Sequence, residues 1–196
     1  MILPIVAYGD PVLRKMGKEI DQDYPNLKEL IANMKETMYN ASGVGLAAPQ
    51  IGKAIRLFVI DASPFAEDDN LEEEEKATLK NFVRVYINPK ILNEEGEEWT
   101  FNEGCLSIPD VREDVIRKSK VTLEYQDEDF TTQTEVLDGL AARVFQHEYD
   151  HIEGVLFTDK VSSLKKRLIK RKLENISKGK IRADYRMRFP NLKKKK

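Results

Sequence analysis

Cysteine, histidine and tryptophan are almost missing from this chain: 196 residues carry one cysteine, two histidines and one tryptophan. A single cysteine excludes an internal disulfide, so Cys105 is a small buried hydrophobe, a reactive thiol or a metal ligand. No apolar run approaches the length that spans a bilayer, and the first ten residues, Met-Ile-Leu-Pro-Ile-Val-Ala-Tyr-Gly-Asp, lack the basic and apolar regions of a signal peptide. A cytoplasmic protein without membrane contact is expected. Phosphate-binding fingerprints are also missing, since no Gly-Lys-Ser/Thr and no G-x-G-x-x-G follows a strand. Nucleotide binding is not expected.

What remains is a composition of 41% hydrophobic and 34% charged residues, that of a single globular domain with a substantial core. The net charge of −2 conceals a polarity. Acids cluster at Glu67, Asp68, Asp69 and 72–75, and the chain beyond Ser163 is heavily basic. The acidic run reads as a solvated surface loop opened by charge repulsion.

Both histidines fall in one short stretch, Gln146-His-Glu-Tyr-Asp-His-Ile-Glu153. Asp138 is a plausible N-cap and Gly154 a plausible stop, and Leu140, Val144, His147 and His151 recur at helical spacing. Residues four apart share a helix face, so His147 and His151 can offer two imidazoles to one ion. Glu148, on the neighbouring stripe, completes an H-E-x-x-H motif, in which a carboxylate sits beside a catalytic metal. Catalytic sites of this kind take three protein ligands and keep one position open. Residue chemistry alone leaves the third ligand among Cys105, Glu153 and Glu174, and leaves a zinc protease as the rival function.

Along the chain, Gly9-Asp-Pro-Val-Leu-Arg14 reads as a turn and 25–41 as an amphipathic helix burying Leu27, Leu30, Ile31, Met34 and Met38. A glycine-studded loop follows, Ser42-Gly-Val-Gly-Leu-Ala-Ala-Pro-Gln-Ile-Gly52, of the kind that lets backbone approach a ligand. Strands are expected over 55–62, over 82–92 with an end near Asn88-Pro89, over 120–126 and over 130–137. A last helix runs from Ser162 or Ser163 toward Gly179, with Ile169, Leu173 and Ile176 on one stripe and lysines and arginines around the rest. This order gives an α+β fold: mainly antiparallel sheets around a central metal-binding helix, with a C-terminal helix. Residues 1–161 form the catalytic part and 162–196 a basic helix and tail of the same domain, the tail at Lys193–Lys196 expected to be disordered.

Three segments in this order, Gly43-Val-Gly-Leu-Ala-Ala-Pro-Gln-Ile-Gly52, Asn102-Glu-Gly-Cys-Leu-Ser-Ile-Pro109 and Gln146-His-Glu-Tyr-Asp-His151, resemble the three motifs of the peptide deformylases. Asp10-Pro-Val-Leu-Arg14 is similar to the family's beginning, so the resemblance runs to about Asp159. It implies Cys105, His147 and His151 as ligands of one ion, Fe2+ by family habit with Zn2+, Ni2+ or Co2+ accepted. The implied reaction removes the formyl group from N-formylmethionyl nascent peptides and releases formate. Glu148 would be the general base and acid, and the Gln50 amide and the Leu106 N–H the oxyanion donors.

By the same resemblance, Val44, Gly45, Phe101, Leu140, Arg143 and Val144 would line the methionine pocket, with Glu103 near it. Arg143 stands where the family often has an apolar residue; its stem would line a wall while its charge reaches water. Arg112 would steady the motif loop, and Asp150 would hold a helix or a histidine in place. The basic C-terminal helix would contact the ribosome, whose RNA phosphates suit its charge. The sequence sets no oligomeric state.

Overall fold

A computed structural model describes residues 1–190. The tail at Lys193–Lys196 lies outside the described residues. The element order is β1 (Ile5–Val6), a 3-10 turn (Pro11–Arg14), α1 (Leu27–Asn40), β2 (Gly45–Ala47), a 3-10 turn (Ala48–Ile51), β3 (Leu57–Asp61), a 3-10 turn (Ser63–Glu67), α2 (Glu73–Leu79), β4 (Val83–Cys105), β5 (Ile108–Gln126), β6 (Thr132–Asp138), α3 (Gly139–Ile152), a 3-10 turn (Phe157–Asp159), α4 (Ser163–Ser177) and β7 (Met187–Arg188). Strands β2 to β6 form one antiparallel sheet in sequence order, and β1 pairs with β7 in a separate parallel ribbon.

The three expected amphipathic helices form within about two residues of their stripes. They form because one face of each has a layer to cover. Strand β3 is buried on both sides: Leu57 and Val59 pack with Leu30, Ile31, Met34 and Met38 of α1, while Phe58 and Ile60 pack with Val144 and Phe145 of α3. The sheet is thus a wall between two helices. A third cluster joins Val6, Leu13 and Val115 to Ile169, Leu173 and Ile176 of α4, so the basic helix is keyed into the body by its apolar stripe. Each such side chain contributes about 1.5–3 kcal/mol on burial.

Two expectations fail. The strand over 82–92 does not stop at Asn88-Pro89 but continues to Cys105, making with β5 a long hairpin. Asn88 takes φ 50° and its side-chain amide bridges to both backbone groups of Ile20, so the break in the ladder is absorbed as an irregularity. Further register shifts between Ile91 and Asn93 and between Glu95 and Glu98 bend the same strand. The acidic run is not a solvated loop either. It forms a 3-10 turn and α2, because Glu73, Glu74 and Glu75 sit in the helix's first turn, where the dipole favours negative charge, and Leu79 is buried. Glu75 also accepts from the Leu140 N–H at 3.0 Å, at the start of α3.

Candidate metal centre and cavity

The metal helix α3 begins after Asp138, whose carboxylate accepts from the Gly139 N–H at 2.8 Å. Its apolar stripe fixes the rotation against the sheet, and that rotation turns His147 and His151 to the same side, ring centroids 5.2 Å apart. Cys105 arrives from the tip of the β4–β5 hairpin, its Sγ 3.2 Å from His151 Nε2. The donor atoms of Cys105, His147 and His151 all lie within 4.8 Å of one another. One thiolate and two imidazoles so converged fit a divalent transition metal with a position left open. Glu153 and Glu174 are not ligands: Glu153 accepts from Arg56 Nη1 at 2.6 Å, and Glu174 lies on α4, near Lys178.

Behind His147 is a closed set of buried charges. Glu103 accepts from Arg117 Nε at 2.7 Å and Nη2 at 3.0 Å, and from Arg143 Nη1 at 3.0 Å, while its Oε2 lies 2.9 Å from His147 Nδ1. Arg117 also reaches Asp150 at 2.7 Å. Burial alone would raise the Glu103 carboxyl, but the bonds from Arg117 and His147 outweigh it and hold it well below the usual carboxylate range. A carboxylate fixed on Nδ1 leaves Nε2 of His147 as the atom that would hold an ion.

Glu148 lies on the other side of the histidines and is treated differently. It is 4% exposed, its Oε2 has no hydrogen-bond partner among the described residues, and burial pushes its carboxyl up to about 7. Gly45 explains how the first motif meets it: a Cβ there would stand 2.4 Å from Glu148 Oε1. Gly43 lies equally close to the hairpin tip, since a Cβ there would stand 2.7 Å from Cδ1 of Leu106. Gln50 is anchored by its acceptor end, Oε1 taking the Ala47 N–H at 2.8 Å. Its donor end therefore points toward the thiol, with Nε2 3.4 Å from both Cys105 Sγ and Ser107 Oγ.

A cavity of about 500 Å³ opens beside these groups. Val44, Gly45, Phe101, Glu103, Arg143 and Val144 all border it, together with Cys105, Leu106, His147, Glu148 and Gln50. Leu140 does not; it packs in the core between α3 and the sheet. Arg143 departs from its expected state. It is 1% exposed, donating to Glu103 and to the carbonyls of Val115 and Trp99 with its plane over the Trp99 ring, so its charge is neutralised inside rather than hydrated. Glu103 likewise spends both oxygens on Arg117, Arg143 and His147 rather than offering them to a ligand. Arg112 does brace the hairpin tip, through Asn102 Oδ1 at 3.0 Å.

Sequence reasoning missed Arg117, Phe65 and Tyr185. Arg117 gave no local signal, because its partners are 14 and 33 residues away. Phe65, in the acidic insertion, meets Phe101 edge-on at 6.3 Å and borders the cavity. Tyr185 borders it from beyond α4, and a signal existed: in Ile181-Arg-Ala-Asp-Tyr-Arg-Met-Arg-Phe189 apolar and charged residues alternate, the pattern of a half-buried extended segment.

Comparison with known proteins agrees with this geometry. The family model for polypeptide deformylase matches residues 2–167. The chain is 70% identical to a peptide deformylase of Flavobacterium johnsoniae over 99% of each chain. It is 66% identical to one from Christiangramia forsetii, again over 99% of each. Among solved structures, peptide deformylase from Legionella pneumophila superposes with TM-score 0.77 at 38% identity, covering 92% of this chain and 98% of that one. The Thermotoga maritima enzyme gives 0.72 at 40% identity, covering 83% and 99%. With hairpin thiol, metal helix and glycine strip all in place, the chain belongs to the polypeptide deformylase family.

Proposed function

We propose that this chain hydrolyses the formamide at the N-terminus of formyl-methionyl nascent peptides, releasing formate and a free methionine amine. The observation that carries the reading is the convergence of Cys105, His147 and His151 within 4.8 Å, at a cavity that Glu148 and Gln50 also border. When bound, a divalent ion supplies Lewis acidity and makes water acidic enough to react near neutral pH. Fe2+ is the ion we assign, on family resemblance; the donor set also suits Zn2+, Ni2+ and Co2+.

Glu148 takes the proton of the attacking water and hands it to the departing amine as the formyl C–N bond breaks. Its location supports this, since a buried carboxyl with an unpaired oxygen at the edge of the cavity is placed to receive and return a proton. The Gln50 amide and the Leu106 N–H donate to the formyl oxygen as it gains charge. Methionine occupies the apolar part of the cavity, against Val44, Phe65, Phe101 and Val144. The test is formate release from formyl-methionyl peptides, assayed anaerobically with bound metal quantified. One ion per chain with stoichiometric formate is expected; cleavage of internal peptide bonds instead would sink the reading.

Such substrates emerge from ribosomes, and a cytoplasmic location fits this reading. No helix among the described residues is long and apolar enough to cross a membrane. The outward face of α4 carries Arg167 and Arg171, both exposed, and suits phosphate-rich RNA. Truncating α4 would strip Ile169, Leu173 and Ile176 from a core cluster, so charge reversal is the cleaner probe. R167E/R171E should weaken ribosome co-sedimentation, with a shallower salt dependence, while leaving activity on short peptides intact. Unchanged co-sedimentation would count against ribosome contact.

A further inference from the structure

The segment after α4 returns across the molecule. Residues 178–190 run back past the hairpin tip, and β7 pairs in parallel with β1. Met187 and Phe189 pack on the third core cluster, and Arg188 lies 3.4 Å from Asp10. Arg188 also lies over Gly52, at φ +86°, where a Cβ would stand 2.9 Å from its guanidinium. Midway along this segment, the Tyr185 hydroxyl donates to the Leu106 carbonyl at 2.7 Å. The next carbonyl, that of Ser107, accepts the Tyr8 N–H at 2.8 Å, and the Leu106 side chain lies against Gly43. The chain between Cys105 and Ile108 is therefore gripped by β1's flank, by the first motif and by the returning strand. The family match ends at residue 167, so the strand's contribution lies outside it.

We infer that residues 178–190 form a strap that completes the site, with Tyr185 as a positioning residue whose hydroxyl fixes the hairpin tip and so aims the Leu106 N–H at the formyl oxygen. This goes one step beyond the reading above and depends on Leu106 being an oxyanion donor. The hydroxyl acts through the Leu106 carbonyl, to which it donates. It holds the peptide immediately downstream of the donor N–H, and a donor that drifts by about 1 Å loses on the order of a hundredfold in rate. The phenol is half-buried and burial raises its pKa, so it stays a donor throughout the working range.

The experiment compares Tyr185→Phe, which keeps the ring and removes the hydroxyl, with Gln50→Ala in the metal-loaded full chain on a formyl-methionyl peptide. Tyr185→Phe should lower kcat about tenfold with KM within about twofold, since only the transition state needs the aimed donor. Hydrogen exchange at Leu106 and Ser107 should accelerate, with metal content and the exchange of α3 unchanged. Unchanged kcat, a change in KM alone, or a loss that merely follows a lowered Tm would overturn the inference. If Gln50→Ala lowers kcat and Tyr185→Phe does not, the strap alone is wrong. If neither does, the oxyanion reading is wrong with it.

Discussion

Two carboxylates flank the same pair of histidines, and their surroundings are opposites. On the Glu103 side every charge is answered: two arginines and His147 Nδ1 meet its oxygens, and Asp150 answers Arg117 again. On the Glu148 side one oxygen is unmatched among the described residues, and the carboxyl packs where a side chain on Gly45 would stand. Both groups are buried to a similar degree, 3% and 4% exposed, so depth does not distinguish them. Partners do. Burial raises each carboxyl; the arginines reverse that at Glu103, while at Glu148 burial prevails. One carboxylate is thereby locked as a charge against His147, and the other keeps a carboxyl that burial has raised, as the proposed roles of the two require.

The largest test of that contrast is Glu148→Gln, which keeps shape and removes the proton acceptor. Formate release should fall by about 10²–10⁴-fold with the metal still bound at one per chain. If metal is lost in parallel, Glu148 belongs to the orienting side and the contrast collapses. Next is Glu103→Gln, which leaves Arg117 and Arg143 buried without their shared anion. Metal affinity should fall about 10–100-fold and stability by about 3–5 kcal/mol, read by metal titration and denaturant unfolding. An unaltered affinity would show that Glu103 serves packing alone.

The smallest effect sharpens the comparison from outside the site. Asp159 accepts from Arg14 and from the Leu156 N–H at 2.8 Å while keeping about two-fifths of its side chain in solvent. Burial would raise its carboxyl, but Arg14 and the backbone bond hold it lower. A folded-state value below the unfolded one means that the stabilisation is present above the unfolded value of about 4 and is lost as pH falls through the folded value. Asp159→Asn should therefore lower Tm by no more than about 4 °C at pH 7. The gap to wild type should close below about pH 4. A gap that persists there would assign it to the capping bond rather than to charge.

How much of this was legible beforehand follows from the range of each interaction. The helices α1, α3 and α4 could be read because each writes its burial as a stripe along its own residues. His147, His151 and Glu148 share one helix and could be read with it. Cys105 could not be attached to them by spacing, because it lies 42 residues before His147 in the chain and only the family resemblance joined them. Arg143 misled for a related reason: an arginine in a sequence says nothing of whether a carboxylate from another strand will be waiting inside. The insertion misled through composition, since Glu72–Glu75 suggest repulsion until Leu79 and the Leu140 N–H supply something to pack on and to cap. Asn88-Pro89 looked like a strand end, but a hairpin with bulges passes through both residues.

Those bulges carry a consequence for how the enzyme can drift or be retuned. The thiol sits at the end of a curled arm whose register shifts fall among solvent-exposed residues from Asn93 to Glu98. Glu94 in that stretch accepts from Gln146, one residue before His147, so the curl of the arm and the seating of the imidazole helix are joined, and a change on the outside of the molecule reaches both halves of the donor set together.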